Sequence, residues 1–241
     1  MTLIRIVVPV ATAMWNDSVG SWMDRYKDTS TKLSVENLDS GPRSLECTYD
    51  ETMVESSTVE ALGRAEEAGA SGAIIYCMSD PGLRAAKERL SIPVVGIGEA
   101  SYHFASLIGS RFSVIATGST ALAATQARRV RDHLRVYALD HKCVSVRSVC
   151  IPVLDLEGRR DELMRMLLLE GQKARDEDGA DTLVLGCGGM LGVAQTVSKE
   201  LAIPVIDPAV VALKLCEAFI RLRLAQSKRC FGSPTEKSCT G

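Results

Sequence analysis

Short, almost wholly apolar runs alternate along this chain with longer stretches in which apolar positions recur every three or four residues. The short runs include Ile6-Val7-Val8, Ala73-Ile74-Ile75, Ile92-Pro93-Val94-Val95, Val114-Ile115-Ala116, Leu183-Val184-Leu185 and Ile203-Pro204-Val205-Ile206. Their length and lack of polar alternation predict strands buried on both faces. The longer stretches read as helices. In the one that precedes Gly179, Leu163, Met166, Leu167 and Ala174 fall on one face, while Arg159, Arg160, Asp161 and Glu162 gather at its start. Gly69 and Gly179 each close such a stretch, and a residue without Cβ is the least strained way to end a helix in the left-handed conformation.

The pattern is written twice. Gly69-Ala70-Ser71-Gly72-Ala73-Ile74-Ile75-Tyr76-Cys77 is matched without a gap by Gly179-Ala180-Asp181-Thr182-Leu183-Val184-Leu185-Gly186-Cys187, every position displaced by 110. Leu90 to Val95 recurs as Leu201 to Ile206, and Ile6-Val7-Val8 as Val114-Ile115-Ala116, with offsets of 111 and 108. Each half is therefore a strand, a loop, an acid-rich helix, a strand ending in Cys, another helix and an Ile-Pro-Val strand. The expected fold is α/β: two pseudo-symmetric Rossmann-like (flavodoxin-like) halves with parallel sheets and an active site in the cleft between them.

Composition narrows the function. The 241 residues suffice for a substantial core, and a formal charge of −2 with interspersed signs offers no basic stripe for nucleic acid. With three histidines and no His-x-x-x-His or Cys-x-x-Cys pair, no metal site is expected. Arg5 followed by the apolar stretch to Ala13 imitates a secretory signal, yet the repeat requires a first strand there. No apolar run approaches the ~20 residues of a membrane helix. Eight Cys without a credible signal point to reduced thiols and a cytoplasmic protein.

The thiols divide into two kinds. Cys47, Cys143, Cys150 and Cys216 have no repeat partner, and Cys230 and Cys239 lie in a tail of Lys, Ser, Pro and Gly. Cys77 and Cys187 occupy equivalent strand ends, where ligands of open parallel sheets bind. Ser79 or Asp80 is placed to cap a helix whose first turn holds Pro81, and Gly188-Gly189 lets backbone approach a ligand. Amides and a helix dipole beside each sulfur would lower its pKa and cradle an anionic oxygen. Two thiols facing one ligand from opposite sides suit two-base proton exchange at a carbon acid. Thr117-Gly118-Ser119-Thr120, with Thr12 as first-half counterpart, is a second candidate for holding a carboxylate or carbonyl. Gly96-Ile97-Gly98-Glu99-Ala100-Ser101 mimics a dinucleotide fingerprint but has Ser where the third glycine belongs.

Tyr76-Cys77-Met78-Ser79-Asp80-Pro81-Gly82-Leu83, Ile92-Pro93-Val94-Val95-Gly96-Ile97-Gly98-Glu99-Ala100, Arg111-Phe112-Ser113-Val114 and Leu185-Gly186-Cys187-Gly188-Gly189-Met190 together resemble the hydantoin and allantoin racemase branch of the aspartate/glutamate racemase superfamily, over roughly residues 4 to 220. The resemblance implies two similar α/β halves, no cofactor, and a Cys from each half, here Cys77 and Cys187, as acid and base. It places His103 near the interdomain face. It also implies that the last helix crosses back to the first half. The expected division is 1–100 plus 209–226, then 101–208, with 227–241 a flexible tail. Val8-Pro9-Val10-Ala11-Thr12 stands where hydantoin racemases carry an Asn-Pro-Asn-Ser/Thr turn, so two amide side chains that could hold a ureido ring are missing.

The expected function is cofactor-independent racemisation or epimerisation of a hydantoin-like or amino-acid-derived small molecule by two-thiol proton transfer, in a homo-oligomer. Two alternatives share the scaffold. Related maleate isomerases keep both Cys, whereas arylmalonate decarboxylases lack the first, so cis-trans isomerisation or decarboxylation of a small dicarboxylic acid is the second reading. A non-catalytic small-molecule binder is the third, and it has no need of the thiol pair.

Overall fold

The computed structural model describes residues 2–234. Within them the first copy of the repeat runs β1 (Thr2–Val8), α1 (Asn16–Asp24), β2 (Thr31–Asn37), α2 (Thr48–Glu67), β3 (Gly72–Ile75), α3 (Leu83–Arg89), β4 (Val94–Gly96) and α4 (Ile97–Ile108). The second runs β5 (Phe112–Ala116), α5 (Ala123–Val136), β6 (Cys143–Ser148), α6 (Arg160–Asp176), β7 (Thr182–Leu185), α7 (Ala194–Leu201), β8 (Val205–Ile206) and α8 (Pro208–Leu222). Every short apolar run holds a strand, although β4 and β8 begin only after Ile92-Pro93 and Ile203-Pro204. The segment that imitates a signal is β1, paired on both sides.

The two sheets repeat one topology, β2-β1-β3-β4 and β6-β5-β7-β8, with every pairing parallel. β3 and β7 are buried along their whole length, as strands covered by helices on both faces must be. The glycines after α2 and α6 take the left-handed conformation, with φ of 86° at Gly69 and 72° at Gly179. The repeat continues past the thiols. Asp80 N–H donates to Cys77 C=O at 3.0 Å and Met190 N–H to Cys187 C=O at 3.1 Å, and Gly82 and Gly192 follow with φ of 76° and 74°. Equal turns thus carry both cysteines out of their sheets.

Three apolar cores result. One packs α2 and α3 on the outer face of the first sheet, and one packs α6 and α7 on the outer face of the second. The third runs between the sheets and joins Ile4, Ile6, Ile74 and Val95 to Tyr102, Phe112, Val184 and Ile206. Helices α4 and α8 fill that space against each other: α4, leaving the first sheet, packs on β7, and α8, leaving the second, packs on β3 and β4. On this exchange we propose the division into 1–100 plus 209–226 and 101–208.

The start of the expected tail is docked. Lys228 Nζ donates to the carbonyls of Lys87, Glu88 and Leu90 at 2.6 to 2.9 Å, and it is these charge-assisted bonds that hold a segment composition marked as loose. Cys230 is exposed there, while Cys239 and the rest of 235–241 lie outside the described residues. Among the described residues no helix is long and apolar enough to cross a membrane.

Candidate active site

The strand ends of both sheets open into one cavity of about 450 Å³. Cys77 and Cys187 line it from opposite halves, with Val8, Pro9 and Val10 after β1 and Ala116 and Thr117 at the end of β5. Tyr76 ties the floor together: its hydroxyl donates to the Gly188 carbonyl of the other half at 3.0 Å. Gly188 is required there, since a Cβ would sit 2.7 Å from the Tyr76 ring.

Both cysteines line the cavity and are half-buried. Ser79 Oγ lies 3.3 Å from Cys77 Sγ, and the Gly189 amide donates to Cys187 Sγ at 3.4 Å, with the Thr117 hydroxyl as a further donor. Burial nevertheless dominates. It pushes the Cys77 thiol up to about 12 against the Ser79 donors, with the charges of Glu51 and Cys187 adding to the rise. Burial likewise raises Cys187, opposed by Gly189 and Thr117. This reverses the lowered pKa expected from sequence. The reason is position: α3 starts at Leu83 and α7 at Ala194, so turns rather than helix N-termini adjoin the sulfurs. Two thiolates here would also repel, which favours one thiolate beside one thiol.

Asp80 does something other than expected. It neither lines the cavity nor caps α3, whose N-cap is Gly82. From φ 47° its carboxylate turns to the start of α4 and accepts from the Gly98 amide at 3.0 Å and the Glu99 amide at 2.6 Å. Burial pushes it up to about 8 against those two donors. This cap also explains the glycines that imitate a nucleotide site. β4 passes straight into α4, and a Cβ on Gly96 would meet the Asp80 carboxylate at 2.3 Å. The α4 N-terminus is already filled by a carboxyl group of the protein itself.

Of the remaining candidates, Thr117, Ser79, Gly188 and Gly189 line the cavity, and Thr12, Gly118, Ser119 and Thr120 do not. Thr12 Oγ1 accepts from Met14 N–H in its own loop, and Thr120 is exposed in a 3-10 turn at residues 120–122. Gly118, with φ 112°, donates to the Ile151 carbonyl and leaves room for Gln126, whose amide nitrogen would lie 2.1 Å from a Cβ there. Glu99 pairs with Lys87 at 2.5 Å, and His103 lies exposed with its ring centroid 5.5 Å from that of Tyr137.

The inner face of α5 is what sequence reasoning missed. Gln126, Arg129, Val130 and His133 line the cavity at positions three and four apart, the spacing of one helix face. Arg129 bonds the Glu46 carbonyl and the Glu51 carboxylate, joining the halves. Burial holds His133 down to about 4, hence neutral, at 3.6 Å from Asp80 and 3.2 Å from the Tyr137 hydroxyl. The one available signal was helical periodicity with polar members on the stripe, which reads equally as solvated surface.

The comparisons with known proteins bear on this arrangement. The model of the Asp/Glu/Hydantoin racemase family matches residues 4–216. A hydantoin racemase of Pseudomonas sp. (strain NS671) is 32% identical over 239 residues, 99% of this chain and 94% of that protein. One from Rhizobium meliloti is 33% identical over 239 residues, 99% of this chain and 97% of that one. Among solved structures, the allantoin racemase from Klebsiella pneumoniae superposes with a TM-score of 0.91 at 30% identity, over 100% of this chain and 97% of its own.

Proposed function

Because the chain belongs to the Asp/Glu/Hydantoin racemase family and is a racemase-type enzyme, we propose that it inverts the stereocentre of a small hydantoin-like carbon acid by proton transfer between Cys77 and Cys187. The observation that carries this reading is one cavity with a thiol from each half in its wall. One sulfur, as thiolate, removes the proton from the carbon beside a carbonyl; the other, as thiol, delivers a proton to the opposite face. The negative charge that develops on the carbonyl oxygen is met by fixed donors, of which the Ser79 and Thr117 hydroxyls and the Gly189 amide are nearest the sulfurs. The chemistry requires no cofactor, since the thiolate takes up the proton removed from the substrate carbon and the opposing thiol supplies the one delivered.

Burial of both thiols sets the pH response. A base whose pKa lies above 9 is mostly protonated at neutral pH, so kcat/KM is expected to rise about tenfold per unit between about pH 6.5 and 8.5 as the thiolate fraction grows. A profile flat across that range would show that no such thiol is the base.

Ser79 separates catalysis from structure. Its hydroxyl faces Cys77 and caps no helix, so Ser79→Ala is expected to lower kcat by up to about 10²-fold with KM and melting temperature nearly unchanged. A destabilised but fully active variant would assign Ser79 to the fold instead. Deuterium exchange at the α-carbon, measured in D2O across hydantoins, amino acids and arylmalonates, tests the function itself. Exchange confined to arylmalonates, with loss of CO2, would favour a decarboxylase.

A further inference from the structure

We propose that Arg129 and Glu51 form a positioning pair for Cys77, in which Arg129 offsets the carboxylate beside the thiolate and holds the segment 38–47, between β2 and α2, against the second half. The inference rests on the racemase reading above, which makes Cys77 an acid and a base. The pair spans the cleft. Glu51 lies in the first turn of α2 and Arg129 on the inner face of α5, and both line the cavity with Cys77. Their side chains are only 16% and 19% exposed, so water and salt screen the contact little. The other terminal nitrogen of Arg129 donates to the Glu46 carbonyl, at the end of a segment whose Ser44 and Leu45 also face the cavity. One side chain therefore fixes charge and loop together.

Elimination gives the pair its role. Of the other titratable groups in the cavity wall, burial holds His133 neutral and pushes the Tyr76 and Tyr102 hydroxyls up, while Asp132 is exposed and pairs with Arg135. Asp80 turns away to the start of α4, and Glu46 acts on Cys187 instead. Cys187 aside, the charges left facing Cys77 are Glu51 and Arg129, the one Lys or Arg among the described residues lining the cavity. A carboxylate so placed opposes a thiolate, and Glu51 adds to the rise at Cys77. Its partner on the same wall carries the cancelling charge. The loop is thus held closed without a net negative field on the base.

The test follows alkylation of Cys77 and Cys187 by iodoacetamide at pH 8, resolved by peptide mass spectrometry, in wild type, Glu51→Gln, Arg129→Met and the double variant. Only the thiolate reacts, so the rate at Cys77 reports its charge. Glu51→Gln is expected to raise that rate about three- to tenfold, Arg129→Met to lower it by a similar factor, and the double variant to return it to within about twofold of wild type, with smaller changes at Cys187. The pH profile of kcat/KM for 5-isobutylhydantoin is expected to move the same way, to lower pH in Glu51→Gln and to higher pH in Arg129→Met. Opposite signs are the signature of charge. A pair that only held the loop would, once broken, uncover Cys77 and speed its alkylation in both single variants; that result, or an unchanged rate in both, would overturn the proposal. Should Arg129→Met lose its thermal transition, Arg129→Lys keeps the charge without the forked contact and is expected to keep the wild-type rate at Cys77. A rise there as large as in Glu51→Gln would again overturn it. Alkylation that follows the expected signs while no carbon acid exchanges its α-proton would leave the pair in place and sink the racemase reading instead.

Discussion

Cys77→Ser and Cys187→Ser are each expected to lower racemisation by about 10³-fold or more while the melting temperature stays close to that of the wild type. Serine is close in size to cysteine, so packing around the Tyr76–Gly188 bond is preserved. Its hydroxyl, however, ionises far above any thiol, and the same burial that raises Cys77 to about 12 would raise it further. The loss is expected in both directions of the reaction, because the group that serves as acid for one enantiomer is the base for the other. Turnover and thermal unfolding measured on both variants check this. Loss of activity accompanied by loss of the thermal transition would assign the residue to folding instead.

Gly98→Ala is expected to destabilise the protein by about 3 kcal/mol, a fall in melting temperature of about 10 °C. The added Cβ would stand 2.2 Å from the Met78 carbonyl oxygen and 2.9 Å from Asp80 Oδ2. A backbone carbonyl cannot swing aside as a flexible side chain does. The clash also falls on the turn that carries Cys77, so kcat is expected to drop even in the folded fraction. Gly158→Ala is the control, since a Cβ there meets nothing nearer than the Asp155 carbonyl at 3.8 Å. A Gly98→Ala variant as stable as that control would contradict the account of the Asp80 carboxyl as the cap seated on α4.

These residues mark the line between what the chain discloses in order and what only its folded form brings together. The repeat was legible because it is local: each strand, each closing glycine and each cysteine is set by neighbours within a few positions. The direction of Asp80 was not. Its sequence surroundings suit a cap on the next helix, yet the left-handed turn at Asp80 aims the carboxylate at amides 18 and 19 positions onward. Gln126, Arg129 and His133 were hidden for another reason. On an arginine-rich helix polar residues usually face water, and only the approach of the other half makes this face a cavity wall. The thiol pKa failed by degree: the sequence showed donors but not the depth of burial that outweighs them.

The central claim, that two thiols attack one carbon from opposite faces, is tested most directly by following α-proton exchange of each separate enantiomer of 5-isobutylhydantoin in D2O, with buffer-catalysed exchange subtracted. Wild type is expected to place solvent deuterium in the inverted product from either enantiomer. Cys77→Ser is expected to retain exchange of one enantiomer without inversion, and Cys187→Ser of the opposite one. Residual exchange of the same enantiomer by both variants, or full racemisation by either, would contradict the two-face arrangement.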